Sequence, residues 1–385
     1  MSKHDFTPDE FKLRQSRVRA AVGEAGLDWL VLFHPISIHW LIGADGKSYQ
    51  AFQCLLVSAK PGPLVMFTRE SERNEFEDDT IADEVVGWGG GEPADPVEVF
   101  ERLVDRLGLK KARVGIEVPA YYLHPLHYVR LKAMLGDALT AEPTNLVANL
   151  KTVKSARELE YVREASRIAD LGVDAFIATF QEGRTELEVA GAIMGAIMAA
   201  GSGLAGSTLN LVSGERMHMS HGAPTLRKLR RGDSGNVEFG AAYRRYTKTM
   251  GRQISLGKPS ARMKEIYGIV QRAGDAMMAE IRAGVPAIKP HEAAKKIIGE
   301  AGFDRYRIHT SGYGIAPGFP PAWGEPVNMF GGSKDVLQAG MVLSIEPPIF
   351  IGEEKIGARI IDNVIVTEKG CERLSRHSRD MIVLD

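Results

Sequence analysis

The chain has almost no cysteine: two in 385 residues, Cys54 and Cys371, far apart and with no second pair. That scarcity excludes a disulfide framework and a thiolate metal centre, and it fits a reducing cytoplasm. Long apolar runs are missing too. No window approaches the roughly 18 uninterrupted apolar residues of a membrane span, and residues 1–14 are polar and charged, without the apolar centre of a secretory signal. A cytoplasmic protein with no membrane partner is expected. Nor does charge of one sign dominate. With 48 basic against 49 acidic residues the net charge is −1, so no global field draws in nucleic acid, and a small neutral or zwitterionic substrate suits the chain better. The one basic run, residues 227–231, reads as a solvated turn ahead of a strand.

What is present is an ordinary globular mixture, 44% hydrophobic and 25% charged with 41 glycines, in a chain long enough for two cores. The first third alternates an amphipathic helical stretch at residues 11–25 with short apolar runs at 29–33, 54–57, 64–67 and 113–117, the pattern of an α/β layer. The glycine-rich stretch around Trp88, residues 86–96, reads as a surface loop. Near Lys151 the character changes, and two long helical patterns follow at 155–180 and 186–200. Ser155 with Glu158 three residues on is a capping box that starts the first of them. We place the domains at 1–150 and 151–385. Beyond Gly203, strand-like segments and helices at 261–282 and 290–302 fall in separate runs, which predicts an α+β domain with helices on one face of a curved antiparallel sheet.

Four segments of the second domain carry candidate chemistry. Glu238 lies between Val237 and Phe239 on an apparent interior strand, where a carboxylate must be paired, protonated or used; a salt bridge to Arg252 or Lys248 is the bland alternative. Glu346 ends the apolar run 340–346 just before two prolines, and burial there would raise its pKa toward general acid or base work. His218 and His221 sit in a loop ahead of the Glu238 strand, as proton carriers or as surface residues. Residues 309–325, which include His309, Tyr313 and Trp323, are dense in glycine, proline and aromatics and predict a stiff loop with aromatic walls.

These segments, in this order, resemble the pita-bread family of methionine aminopeptidases, prolidases, creatinase and ectoine hydrolases. The likeness extends to Lys151-Thr-Val-Lys-Ser-Ala-Arg-Glu158 and to Gly357-Ala-Arg-Ile-Ile-Asp-Asn-Val364. It implies an α+β pita-bread domain preceded by a smaller α/β creatinase-type domain. Metal-dependent members carry two aspartates, a histidine and two glutamates around two divalent ions. The matching positions here are Glu238, Thr249, Tyr313 (or Ile315), Glu346 and Ile361, so no metal and no other cofactor is expected. The resemblance to creatinase, which works without metal, places a catalytic histidine at His221 and its carboxylate partner at Glu346. A further creatinase glutamate falls on Gly251 and a substrate-binding arginine near Ala51, which moves the substrate away from creatine.

The resulting expectation is a homodimeric, metal-independent hydrolase opening an amidine, guanidine or amide C–N bond in a small polar nitrogen compound. His221, Glu346 and Glu238 would be catalytic. Tyr313, Arg252, His309 and Trp323 would hold the substrate. Residues 43–54 look like an ectoine-hydrolase segment, and in this family that part borders the active site of the dimer mate, which adds Lys47, Tyr49 and Gln53 as substrate contacts in trans. The alternatives are an Xaa-Pro dipeptidase-like metallopeptidase with an altered metal site, an inactive ligand-binding homologue, and a lyase on a small osmolyte.

Overall fold

Side-chain caps write helix starts into this sequence, and the computed structural model of the protein, which describes residues 2–119 and 121–385, shows them at work. The chain divides into two compact units, Met1–Lys151 and Thr152–Asp385.

In the first unit Thr7 caps α1 (Pro8–Glu24) by accepting from Glu10 N at 3.2 Å, with Pro8 at the first helical position where its missing N–H costs nothing. There follow β1 (Trp29–Leu32), α2 (Pro35–Ile42), β2 (Cys54–Ser58), β3 (Val65–Arg69), α3 (Arg73–Asp79), β4 (Glu84–Trp88), α4 (Pro96–Arg106), β5 (Val114–Ile116), α5 (Pro125–Leu135), β6 (Leu139–Ala141) and α6 (Leu146–Leu150). The strands form a mixed six-stranded sheet in the order β4-β3-β2-β1-β5-β6. Both of its faces are covered. Cys54 and Leu56 of β2 point into a cluster with Phe52, Phe67 and Phe100, while Leu55 and Val57 point into another with Leu30, Trp40 and Met66. A strand buried on both faces reads as a continuous apolar run rather than an alternating one. The glycine-rich loop begins later than expected, because residues 86–88 pair with β3 as the end of β4 and Trp88 Nε1 donates to Phe52 O at 2.8 Å.

The second unit opens with α7 (Ala156–Thr179) and α8 (Glu186–Ala199), each started by a complete capping box, Ser155 with Glu158 and Thr185 with Glu188. Next come β7 (Asn210–Ser213), β8 (Ser234–Tyr243), β9 (Tyr246–Leu256), α9 (Ala261–Glu280), α10 (Ile288–Glu300), β10 (Gly312–Phe319), β11 (Ala322–Met329), β12 (Val342–Ile345), β13 (Ile349–Ile351), β14 (Ile356–Ala358), β15 (Asp362–Val366), β16 (Cys371–Leu374) and β17 (Ile382–Leu384). A nine-stranded sheet runs β16-β15-β12-β10-β9-β8-β7, with β11 on β10 and β17 on β9. Residues 309–325 are therefore largely a hairpin rather than a loop.

Period-two alternation sorts this sheet into two chemically different faces. Val237, Phe239, Ala241, Met250 and Ile254 pack with Ile168, Phe176 and Ile193 of α7 and α8. Leu343, Ile345, Val364 and Val366 pack with Ile266, Val270 and Ile298 of α9 and α10. All four helices thus cover one face. The intervening residues of the same strands point to the other.

Candidate active site

Register decides which side chains meet on that other face. Glu238 of β8 is paired with Asn210 of β7 on one side and with Gly251 of β9 on the other. Thr249 lies opposite Gly240, Tyr313 opposite Ser344, and Asn363 opposite Ser344 from the far side. Glu346 N donates to Ser311 O at 2.9 Å, which carries the β10–β12 ladder one step further and fixes the backbone of Glu346. Glu238, Thr249, Tyr313, Glu346 and Ile361 therefore converge on one face.

Glu238 is paired with Arg359, whose guanidinium also bonds the carbonyl and, at 3.1 Å, the hydroxyl of Ser220; Asn210 Nδ2 donates to Glu238 at 3.1 Å. Glu346 is buried, and its Oε1 has no hydrogen-bond partner among the described residues. Burial, reinforced by the nearby Glu238 and opposed by Arg359, holds the Glu346 pKa well above the ordinary carboxyl value. The Tyr313 phenol is also pushed upward, by burial first and by Glu346 second, and it accepts from Trp323 Nε1 at 3.1 Å.

The histidines complete the group. His221, exposed at the tip of its loop, stacks edge-on against His309 with ring centroids 5.4 Å apart. His309 Nδ1 donates to Thr310 O at 3.0 Å, which leaves Nε2 as the unprotonated nitrogen. Burial, then Arg359 and His221, lower its pKa. A carboxyl of raised pKa, an imidazole of lowered pKa and a carboxylate–guanidinium pair thus share one face, the kind of arrangement in which environment pushes titrations apart to set acid and base roles. His218 stays on the loop, with Nδ1 donating to Glu215 O at 3.1 Å.

Several expectations need correction. Arg252 does not join this group: it pairs across from Val237, so its side chain leaves the opposite face of the sheet, where it is wholly buried and bonds Asp362 at 2.8 Å and the carbonyls of Gly251 and Ile361. Lys248, opposite Ala241, lies on that same far face. Neither one can neutralise Glu238, and Arg359 does so instead. Arg359 was missed although its sequence signal matched that of Glu238, a charge set between apolar Ala358 and Ile360. The basic run is only partly solvated, since Arg227 bonds both Glu215 and Asp233. In the first unit Gln53 is buried and accepts from Thr68 Oγ1 at 3.3 Å, Tyr49 packs edge-on to Tyr122, and the Lys47 side chain lies outside the described residues.

The sequence profile of metallopeptidase family M24 matches residues 160–368, and that of the creatinase/prolidase N-terminal domain matches residues 14–153. The chain belongs to metallopeptidase family M24. An Xaa-Pro dipeptidase of Pyrococcus horikoshii is 29% identical over 74% of this chain and 80% of its own length. Among solved structures, dipeptidase PepE from Mycobacterium ulcerans is 28% identical with a TM-score of 0.86, covering 98% of this chain and 99% of that one. The Xaa-Pro dipeptidase from Bacillus anthracis is 26% identical with a TM-score of 0.83, covering 97% and 100%. The fold is accordingly a pita-bread domain preceded by a creatinase-type α/β domain. These matches overturn the expected creatinase-like hydrolysis of non-peptide C–N bonds, because the relatives bear the names of dipeptidases. That expectation gave a handful of altered positions more weight than the whole chain.

Membership of a metallopeptidase family raises the question of metal, and the donor set here does not fit a metal pair. Among the described residues no three His, Cys, Asp or Glu side chains cluster as a metal would need. Glu238 is claimed by Arg359. The Thr249 hydroxyl accepts from Asn363 Nδ2 at 2.7 Å and sits 3.3 Å from Ser344 Oγ. Ile361 fills the space over Gly251, where an added Cβ would come within 2.6 Å of it. An arginine, a threonine and an isoleucine supply none of the anionic oxygens that two divalent cations require.

Proposed function

We propose that the chain is a dipeptidase-type hydrolase of short peptides, Xaa-Pro dipeptides foremost, that cleaves with its own acid and base groups. The observation that carries the reading is Glu346: a fully buried carboxyl with one oxygen left without a partner among the described residues, its pKa raised by that burial, on the face that also bears His309 and the Glu238–Arg359 pair. A water would attack the peptide carbonyl carbon and lose a proton to His309 Nε2, while Glu346 gives its proton to the leaving nitrogen as the C–N bond breaks. The Arg359 guanidinium, paired with Glu238 on the same face, would stabilise the oxyanion that forms. Tyr313 and Trp323 wall the site. The names of the relatives supply the substrate class.

The test is a panel of Xaa-Pro and non-prolyl dipeptides incubated with the purified chain, with free amino acids read by chromatography. Glu346→Gln keeps the shape and removes the transferable proton, and is expected to lower turnover about a hundredfold or more. Equal turnover in Glu346→Gln would remove it from the chemistry. A second reading, a peptide-binding homologue without turnover, is favoured by one observation: the apolar Ile361 seated where the family places a glutamate. It predicts thermal stabilisation by Leu-Pro with no product.

A further inference from the structure

Strand β8 is paired along its outer edge at both ends but not in the middle. Asn210 of β7 is opposite Glu238, and Gly203 is opposite Ala242, so six residues, 204–209, span the distance of three on β8. The extra length bows outward. Between this bow and the strand lies a cavity of about 440 Å³ lined by Met194, Leu204, Leu209, Phe239, Pro320 and Pro321, with Gly240 at its strand side.

The backbone of Gly240 faces that cavity. In an antiparallel sheet the N–H and C=O of successive residues point to alternate edges. Ala242 sends both toward the bow, its N–H to Ser202 Oγ at 2.9 Å and its C=O to Gly203 N at 2.8 Å. Gly240, two residues earlier, points the same way. The inner edge agrees: Thr249, opposite Gly240, turns its N–H to Asn363 Oδ1 at 2.7 Å rather than to β8. A donor and an acceptor in extended geometry therefore look into an apolar pocket, two residues along the strand from Glu238.

We propose that this cavity is a peptide subsite, in which one residue of the ligand pairs with Gly240 through its own N–H and C=O and places an apolar side chain among Met194, Leu204, Leu209 and the two prolines. An extended residue offers a matching donor and acceptor, and adding a strand to a free edge is a recurrent way of binding peptides, with backbone bonds giving affinity and pockets giving selectivity. The apolar walls exclude charged side chains, whose desolvation they cannot repay. Glycine at 240 is required, since a Cβ there would come within 2.8 Å of the Trp323 ring and 2.9 Å of Ala205 Cβ. This inference rests on the peptide reading and narrows it to substrates with an apolar residue.

Titration calorimetry with Leu-Pro and Asp-Pro, together with hydrogen exchange of residues 238–242, tests it. The wild-type chain is expected to bind Leu-Pro at least tenfold more tightly than Asp-Pro, with slowed exchange of the Gly240 amide only in the presence of Leu-Pro. Leu204→Arg, on an exposed side chain at the cavity mouth, should abolish or reverse that preference; Thr208 of the bow also lines the cavity, and Thr208→Trp should fill the space and weaken Leu-Pro by roughly tenfold. Two variants guard against a folding defect in either one. Peptide binding with equal affinities, or exchange at 238–242 unmoved by Leu-Pro, overturns the subsite and leaves the peptide reading standing. Failure of the wild-type chain to bind or cleave any dipeptide overturns both.

Discussion

Lys248 has no exposed surface, donates to Thr249 O at 2.6 Å, and lies on the helix-covered face of the sheet. Burial pulls its pKa down to about 7, against an upward pull from Asp362 and Asp170 and a further downward one from Arg252 and Arg373. Between pH 7 and about 10 the unfolded chain binds a proton there that the folded chain does not, so stability rises with pH across that window and is lower below it. Lys248→Met should flatten the slope and stabilise the protein at pH 7 by about 1–4 kcal/mol, measured by urea unfolding from pH 6 to 10. A slope equal to that of wild type would assign it to other groups. At this scale the site was half legible. Glu238 and Glu346 stand out because a charge inside an apolar run must be explained, and Arg359 carries the same mark. Arg252 misled because its neighbours in sequence do not reveal its face. Only the pairing of β8 with β9 shows that it and Glu238 point apart.

The loop that carries His221 follows β7 and is held by one carboxylate from α8. Glu186, in the first turn of α8 and wholly buried, accepts from Ser213 Oγ at 2.7 Å, from Thr225 N at 3.0 Å and Oγ1 at 2.8 Å, and from Arg216, which in turn reaches Ala223 O at 2.7 Å. Both ends of the histidine loop are thus tied to the same two oxygens. Glu186→Gln keeps the volume but can accept fewer bonds and loses the charge facing Arg216, and it should cost about 3–5 kcal/mol as a broken buried pair. Hydrogen exchange across residues 213–225 should quicken while the rest of α8 stays protected; unchanged exchange would mean that the loop is held elsewhere. Elements with strong local rules were read closely, as at α7, where expected and observed starts agree at the Ser155 cap. The 312–329 hairpin was not. Its strands contain Pro317 and Pro326 and shift register at Tyr313/Gly314 and again between Ile315 and Phe319, and such irregular strands leave a loop's composition behind.

On the scale of the whole chain, each unit closes its own core, around Phe52, Phe67 and Phe100 in the first and around Phe176, Phe239 and Ile266 in the second. Units with separate cores can unfold in separate steps, and ligand bound to one native unit raises that unit's step alone. The four tryptophans make the steps distinguishable: Trp29, Trp40 and Trp88 belong to the first unit and Trp323, bonded to Tyr313, to the second. Calorimetry paired with fluorescence of a Trp323→Phe variant and of the parent should resolve two transitions. Leu-Pro at a hundred times its Kd should raise the second by about 2.7 kcal/mol of stability and leave the first in place. Manganese or cobalt should move neither, because Thr249, Ile361 and the Arg359-bound Glu238 leave no ligand set for them. A rise of the second transition with manganese would show that the site recruits metal through groups other than those five positions, and would return the chemistry to the metal-dependent pattern of the family.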